Sequence, residues 1–333
     1  MRVLVTGGAG YVGSVSVERL LEAGHEVVIL DDLSTGHRES VPPAASLEVG
    51  SYGDAELMAK LLERARVDAI LHCGARSLVG ESMRDPARYY RDNVAGGITL
   101  VESARQAGVG RIVFSSSAAV YGVPEVVPIT EDAPLRPINT YGETKRTFEG
   151  ALRFYGEAYG LRSVALRYFN VAGASARNGE LHDPETHLIP NVLRAAETGP
   201  PITLFGSDYE TPDGTCIRDY IHVADLADAH LLALEATAPG DPRTDAALVC
   251  NLGIGAGFSV RQVIDAAAKI VGRPIPETSG PRRAGDPPVL VAAADRARDV
   301  LGWTASRPSL EEMIGSAWEW RRANLEADGR RRA

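Results

Sequence analysis

Cysteine is scarce: Cys73, Cys216 and Cys250 are the only three in 333 residues. An odd number so widely spaced gives no sign of a disulfide framework or a cysteine-based zinc site. Each reads as a small buried apolar side chain in a reducing, cytoplasmic setting. No metal is expected. Basic residues are outnumbered, 35 Lys and Arg against 44 Asp and Glu, for a formal net charge of −9. That balance argues against a nucleic-acid or anionic-membrane surface. No apolar run reaches the roughly 18 residues of a membrane-spanning helix. The first strand-like run begins at Arg2, so no leader peptide is expected. Internal repeats and low-complexity segments are missing too.

What is present is an ordinary core: 44% of residues are hydrophobic. The length suggests two lobes. The run Arg2-Val3-Leu4-Val5-Thr6 reads as a buried strand. Gly7-Gly8-Ala9-Gly10-Tyr11-Val12-Gly13 follows, then a helical pattern to Ala23 that Gly24 ends. A second apolar run, Val27 to Leu30, stops at Asp31-Asp32. This is a β-α-β unit with a glycine-rich first turn. Such glycines let the backbone approach a pyrophosphate seated on the helix N-terminus. An acid at the end of the second strand suits a ribose diol. Asp31 also repels a 2′-phosphate, which favours NAD over NADP.

Strand-like and helix-like segments go on alternating: strands near 47–49, 69–72, 111–115 and 163–168, and helices at 54–65, 86–107 and 141–160. The pattern predicts an α/β fold with a doubly wound, parallel, Rossmann-like sheet. Gly7, Asp31, Cys73, Ser117 and Asn170 all fall at carboxyl ends of strands, where such sheets bind ligands. After Asn170 the pattern loosens. Residues 225–236 and 248–252 read as a helix and strand that rejoin the main sheet, and helices are expected near 260–270 and 310–321. The expected division is a dinucleotide-binding domain over 1–170, joined by 219–252, and a smaller mixed α/β substrate domain over 171–333.

Tyr141 and Lys145 stand four apart on a helix and so share a face. A free phenol has a pKa near 10 and is a poor base at neutral pH, but a neighbouring ammonium favours the phenolate. Ser117 can donate a hydrogen bond to the same substrate oxygen. The three suit removal of a proton from an alcohol while a hydride leaves the same carbon.

Gly7-x-x-Gly10-x-x-Gly13, Ser115-Ser116-Ser117, Tyr141-x-x-x-Lys145 and Arg167-Tyr168-Phe169-Asn170 resemble the extended short-chain dehydrogenase/reductases. Phe205-Gly206-Ser207-Asp208-Tyr209, Arg218-Asp219-Tyr220-Ile221-His222 and Pro281-Arg282-Arg283-Ala284-Gly285-Asp286 narrow the resemblance to the UDP-glucose 4-epimerases, over nearly the whole chain. The resemblance implies bound NAD, a UDP-hexose substrate and a transient 4-keto sugar. It also implies a homodimer through the helices at 86–107 and 141–160. Ser117, Tyr141 and Lys145 would be catalytic. NAD would be held by Gly7, Gly10, Tyr11, Val12, Gly13, Asp31, Asp32, Ser34, Gly36, Ser51, Tyr52, Cys73, Gly74, Ala75, Ser77, Asp92, Asn93 and Phe169, with Tyr141 and Lys145. The nucleotide sugar would meet Ser117, Tyr141, Asn170, His187, Leu188, Phe205, Arg218, Arg283, Asp286 and Leu290.

The chain departs from the family pattern at Ser51, where an Asp is usual, and at Asp92, where an Asn is common. Arg76 stands near the place of a customary lysine. A tyrosine is common at the position of Leu290, so its smaller side chain implies room for N-acetylated sugars. Three alternatives stay open: a UDP-glucuronate 4-epimerase, a nucleotide-sugar 4,6-dehydratase and a non-catalytic NAD-sensing module. A dehydratase needs an Asp-Glu pair where Ala118-Ala119 stand. A sensor usually lacks the Tyr or the Lys.

Overall fold

Apolar runs such as Val3-Leu4-Val5, Ala69-Ile70-Leu71 and Ile112-Val113-Phe114 become strands because helices on either side of the sheet bury both of their faces. The computed structural model describes residues 1–197, 199–244, 247–283 and 286–332, with side chains to 325. Strands β1 (Arg2–Thr6), β2 (Glu26–Asp31), β3 (Ser46–Val49), β4 (Ala69–His72), β5 (Arg111–Ser115) and β6 (Arg162–Tyr168) alternate with helices. These are α1 (Tyr11–Glu22), α2 (Ala55–Ala65), α3 (Val79–Arg84), α4 (Pro86–Tyr89), α5 (Gly96–Gln106) and α6 (Thr140–Tyr159). Short β7 (Asn170–Ala172), α7 (Leu188–Glu197), β8 (Ile202–Phe205) and β9 (Ile217–His222) lead to α8 (Val223–Ala236) and β10 (Ala247–Leu252). The chain closes with β11 (Gly257–Ser259), α9 (Val260–Val271), β12 (Glu277–Gly280), β13 (Val289–Leu290) and α10 (Leu310–Arg332).

One seven-stranded sheet runs β10-β6-β5-β4-β1-β2-β3. All its pairs are parallel, so the expected doubly wound architecture is the one observed. The late strand β10 pairs with β6 from Ala247↔Ser163 to Leu252↔Tyr168. Apolar layers cover both faces. α1 and α8 bury Val17, Leu20, Leu226 and Leu234 on one side, and α2, α5 and α6 bury Met58, Leu61, Leu100 and Phe148 on the other. A smaller α/β region packs β7, β9, β11 and β13 in one sheet and β8 with β12 in another. Its own core contains Val192, Leu193, Val263, Ile264, Met313 and Ile314.

The segment expected as one helix over 86–107 is a helical run with a wider π turn at Tyr90–Ala95. The inserted turn re-aims backbone groups, and the Tyr52 hydroxyl donates to the Asp92 carbonyl at 3.0 Å. Helix α6 starts where it must for the site. The Asn139 side chain accepts from Gly142 N at 2.8 Å and caps the first turn, which carries Tyr141.

Candidate active site

A cleft of about 1160 Å³ opens along the carboxyl edge of the main sheet, between it and the smaller region. Single small-molecule sites usually occupy about 300–1,000 Å³, so this one has room for a dinucleotide and a second ligand. One end is formed by the first β-α turn. Gly7 is at φ +71°, and a Cβ there would sit 2.5 Å from Gly74 N. A Cβ on Gly13 would strike the Gly7 carbonyl. No side chain caps α1, and its first turn holds no acid. The leading amides of Tyr11, Val12 and Gly13 therefore point to the cleft as spare donors, which fits a pyrophosphate.

Asp31 lies at the end of β2, as expected, but its carboxylate is already engaged. It accepts from Ala9 N and Leu33 N, each at 2.9 Å, and burial pushes its pKa up. It thus ties the glycine turn to the next loop as well as facing the cleft. Asp32, Ser34 and Gly36 complete that wall. Ser51 and Tyr52 line the next stretch. The Ser51 hydroxyl accepts from Gly53 N at 3.0 Å. Asp92 is compensated: Arg76 Nε lies 3.2 Å away and Arg91 Nε 3.0 Å. Arg76 also approaches Asp32 at 3.9 Å.

At the centre, Cys73, Gly74, Ala75 and Ser77 follow β4 along the cleft floor. Burial pushes the Cys73 thiol up to about 11, so it stays protonated at neutral pH. Ser117 leaves β5 in extended conformation, and its hydroxyl accepts from Ala119 N at 3.2 Å. Tyr141 and Lys145 face it from α6, 8% and 3% exposed. Burial raises the Tyr141 phenol, and the Ser117 hydroxyl partly offsets this. Lys145 differs from the sequence expectation. Its Nζ donates to the Ser115 carbonyl at 2.8 Å and lies 4.7 Å over the Phe114 ring. It stands 5.7 Å from the centre of the Tyr141 ring. Burial lowers its pKa to about 8. The direct phenol neighbour is thus Ser117, with the ammonium one step behind.

Ser116 leads into a buried brace. It donates to Glu149, which receives Arg167 Nη2 at 2.6 Å. Arg167 Nη1 donates to the Tyr121 hydroxyl at 2.9 Å, and that hydroxyl donates to Asn251 at 2.6 Å. The strand end bearing Ser117 is thereby fixed to α6, β6 and β10.

On the substrate side, Phe169, Asn170, His187, Arg283, Asp286 and Leu290 reach the cleft wall. Four expected residues do not. Asn93 is buried behind the wall, bonded to Arg76 N at 2.8 Å and Thr144 Oγ1 at 3.1 Å. Leu188 begins α7 and packs into the smaller core. Arg218 is tied to Asp286 and to its own Ile217 carbonyl. Phe205 forms a shelf beside the cleft, with the Arg283 guanidinium 4.1 Å over its ring. Ala284 and Gly285 of the arginine-rich motif lie outside the described residues. Sequence reasoning missed Arg88, Ile138, Asn139, Tyr168, Glu180 and His182, all of which line the cleft. The repeated Glu-x-His at 180–182 and 185–187 was the one local signal for the last two.

Sheet order and cleft together are those of the extended short-chain dehydrogenase/reductases, which hold a nicotinamide dinucleotide at this edge. The model of the NAD dependent epimerase/dehydratase family matches residues 3–252. The chain is 51% identical to the UDP-glucose 4-epimerase of Streptomyces lividans over 321 residues, 96% of this chain and 95% of the relative. It is 48% identical to that of Lactobacillus helveticus over 327 residues, 97% and 98% of the two chains. The crystal structure of UDP-glucose 4-epimerase from Brucella ovis in complex with NAD aligns with a TM-score of 0.92 and 44% identity, over 96% of this chain and 97% of that one. The chain belongs to the NAD-dependent epimerase/dehydratase family.

Proposed function

We propose that this protein is a NAD-dependent isomerase that inverts carbon 4 of a UDP-hexose, interconverting UDP-glucose and UDP-galactose. The observation that carries the reading is Ser117, Tyr141 and Lys145 converging on the floor of a cleft whose far end is a pyrophosphate-binding turn. NAD supplies a reversible hydride acceptor at that floor. Tyr141 takes the proton from the carbon-4 hydroxyl and later returns it. Ser117 orients that oxygen through its hydroxyl. Lys145 keeps a positive charge near the phenol from its seat on the Ser115 carbonyl. The sugar passes through a 4-keto form and turns over before reduction. Arg283 suits the diphosphate, since a guanidinium pairs its donors with phosphate oxygens. Arg218 acts through Asp286.

Residues 1–170 with 219–252 serve the dinucleotide, and 171–333 the nucleotide sugar. Dehydration is disfavoured because Ala118 and Ala119 line the cleft and carry no proton-transfer group. The enzyme works in the cytoplasm, in galactose metabolism, as a homodimer through α4–α5 and α6. Leu290 leaves the sugar pocket open to an acetamido group. Purified protein incubated with UDP-galactose, without added cofactor, is expected to yield UDP-glucose. Failure to form it even with NAD supplied refutes the reading.

A further inference from the structure

The strap that leads from β7 to α7 carries one tripeptide pattern twice, Glu180-Leu181-His182 and Glu185-Thr186-His187. In each unit the glutamate accepts from the backbone N–H of the histidine and meets the same ring. Glu180 Oε1 is 3.0 Å from His182 N and 2.5 Å from His182 Nδ1. Glu185 Oε1 is 2.6 Å from His187 N and 2.8 Å from His187 Nδ1. The fold sets the two units against each other at the mouth of the cleft. Their rings are 5.5 Å apart, and His187 Nδ1 lies 3.9 Å from Glu180 Oε2. Glu180, His182 and His187 each bring one donor atom within 4.8 Å of the other two.

Both carboxylates are withdrawn from water, with side chains 11% and 9% exposed. Among the described residues their ion-pair partners are these two histidines, with no Lys or Arg. Buried carboxylates need a cation beside them, and the two imidazoles, or a metal held between them, can supply it. We propose that Glu180, His182 and His187, with Glu185 seated on the His187 ring, form a binding site for a divalent transition metal of the zinc class. Two imidazoles and a carboxylate, with a fourth position left to water, are a donor set for such an ion; magnesium and calcium prefer oxygen alone. A tetrahedral ion with bonds of about 2.0–2.2 Å spaces its ligands by roughly 3.3 Å, within the spread of separations seen here. On binding, each ring gives its Nδ1 lone pair to the metal and keeps one proton on Nε2; a second ring proton, where present, passes to solvent.

The metal holds the strap, whose Glu180, His182 and His187 also line the cleft. The strap already touches the dinucleotide end of the cleft: Tyr11 donates to the Gly173 carbonyl at 2.6 Å, and His37 Nε2 lies 3.3 Å from the Leu181 carbonyl. Joining its two halves through a metal fixes it across the glycine turn.

The test uses tag-free, full-length, NAD-loaded protein titrated with cobalt(II), then with zinc. The expected result is one equivalent of cobalt with a tetrahedral visible spectrum, displaced by one equivalent of zinc, and a Tm that rises with zinc. His182→Ala and Glu180→Gln are each expected to weaken cobalt binding at least about tenfold, while His25→Ala, at a distant surface histidine, leaves it unchanged. If His182→Ala does not fold, Glu180→Gln decides alone. No saturable cobalt signal, or full affinity in the folded variants, overturns the proposal.

Discussion

Replacing Tyr141 by Phe removes one hydroxyl and little else. The ring stays, 8% exposed, in the first turn of α6, and its backbone N–H keeps its bond to Ser82 Oγ at 3.2 Å. The lost group interacts with the Ser117 hydroxyl. A net hydrogen bond contributes about 0.5–1.5 kcal/mol, so folding should suffer by no more than that. In a chain of this size the shift in Tm is then a few degrees. The catalytic loss is larger. A positioned acid–base group contributes about 10²–10⁴-fold, or roughly 3–5 kcal/mol of barrier. The two magnitudes separate cleanly. Turnover of UDP-galactose should fall 10²–10⁴-fold, while retained NAD, nucleotide-sugar affinity and Tm stay near wild type. A variant that keeps more than about a tenth of wild-type turnover, a loss under about 1.4 kcal/mol, removes Tyr141 from its place as base.

Lys145 gives a prediction with a definite sign. Its folded pKa falls from the ordinary 10.5 to about 8. Between those values the unfolded chain binds more protons, so wild-type stability should rise with pH relative to Lys145→Met, by up to roughly 3 kcal/mol. Below about pH 8 the difference should be constant; a difference in urea midpoints that stays flat from neutral to alkaline pH refutes this. Arg167→Met leaves the Glu149 carboxylate buried without its cation and should cost about 3–5 kcal/mol in urea unfolding. A much smaller loss means that Tyr121 and Ser116 carry the brace. Leu290→Tyr should narrow the pocket and lower catalytic efficiency on UDP-N-acetylgalactosamine relative to UDP-galactose by roughly 10–200-fold. An unchanged ratio shows that Leu290 is not the gate.

Strands β1, β4 and β5 were legible because a strand buried on both faces is a plain apolar run, and the glycine turn because its spacing is local. The strand β9 was not. Arg218 and Asp219 interrupt it, and Asp219 is stabilised by amides far along the chain, Ile254 N at 2.8 Å, Gly255 N at 3.1 Å and Ala292 N at 3.0 Å. Helix α7 was hidden by Pro190 in its first turn, a position where proline gives up no helical bond. At the site, residue types were readable but the facing of each was not. Asn93 and Asp92 are neighbours, yet the π turn sends one into the interior and leaves the other on the wall. The position of Lys145 over Phe114 depends on how α6 lies on β5, which no local pattern encodes.

The pairing of β10 with β6 has a consequence for how the chain must be made. Val164 and Leu166 are wholly buried, and the sheet edge beside them is closed only when residues 247–252 arrive. A ribosome that has released the first 170 residues has delivered the glycine turn, Ser117, Tyr141 and Lys145, but with β6 still an open edge able to pair with another chain. Cofactor capture should therefore wait for synthesis to pass Leu252. A fragment cut after Asn170 should aggregate rather than bind dinucleotide, however complete its binding residues look.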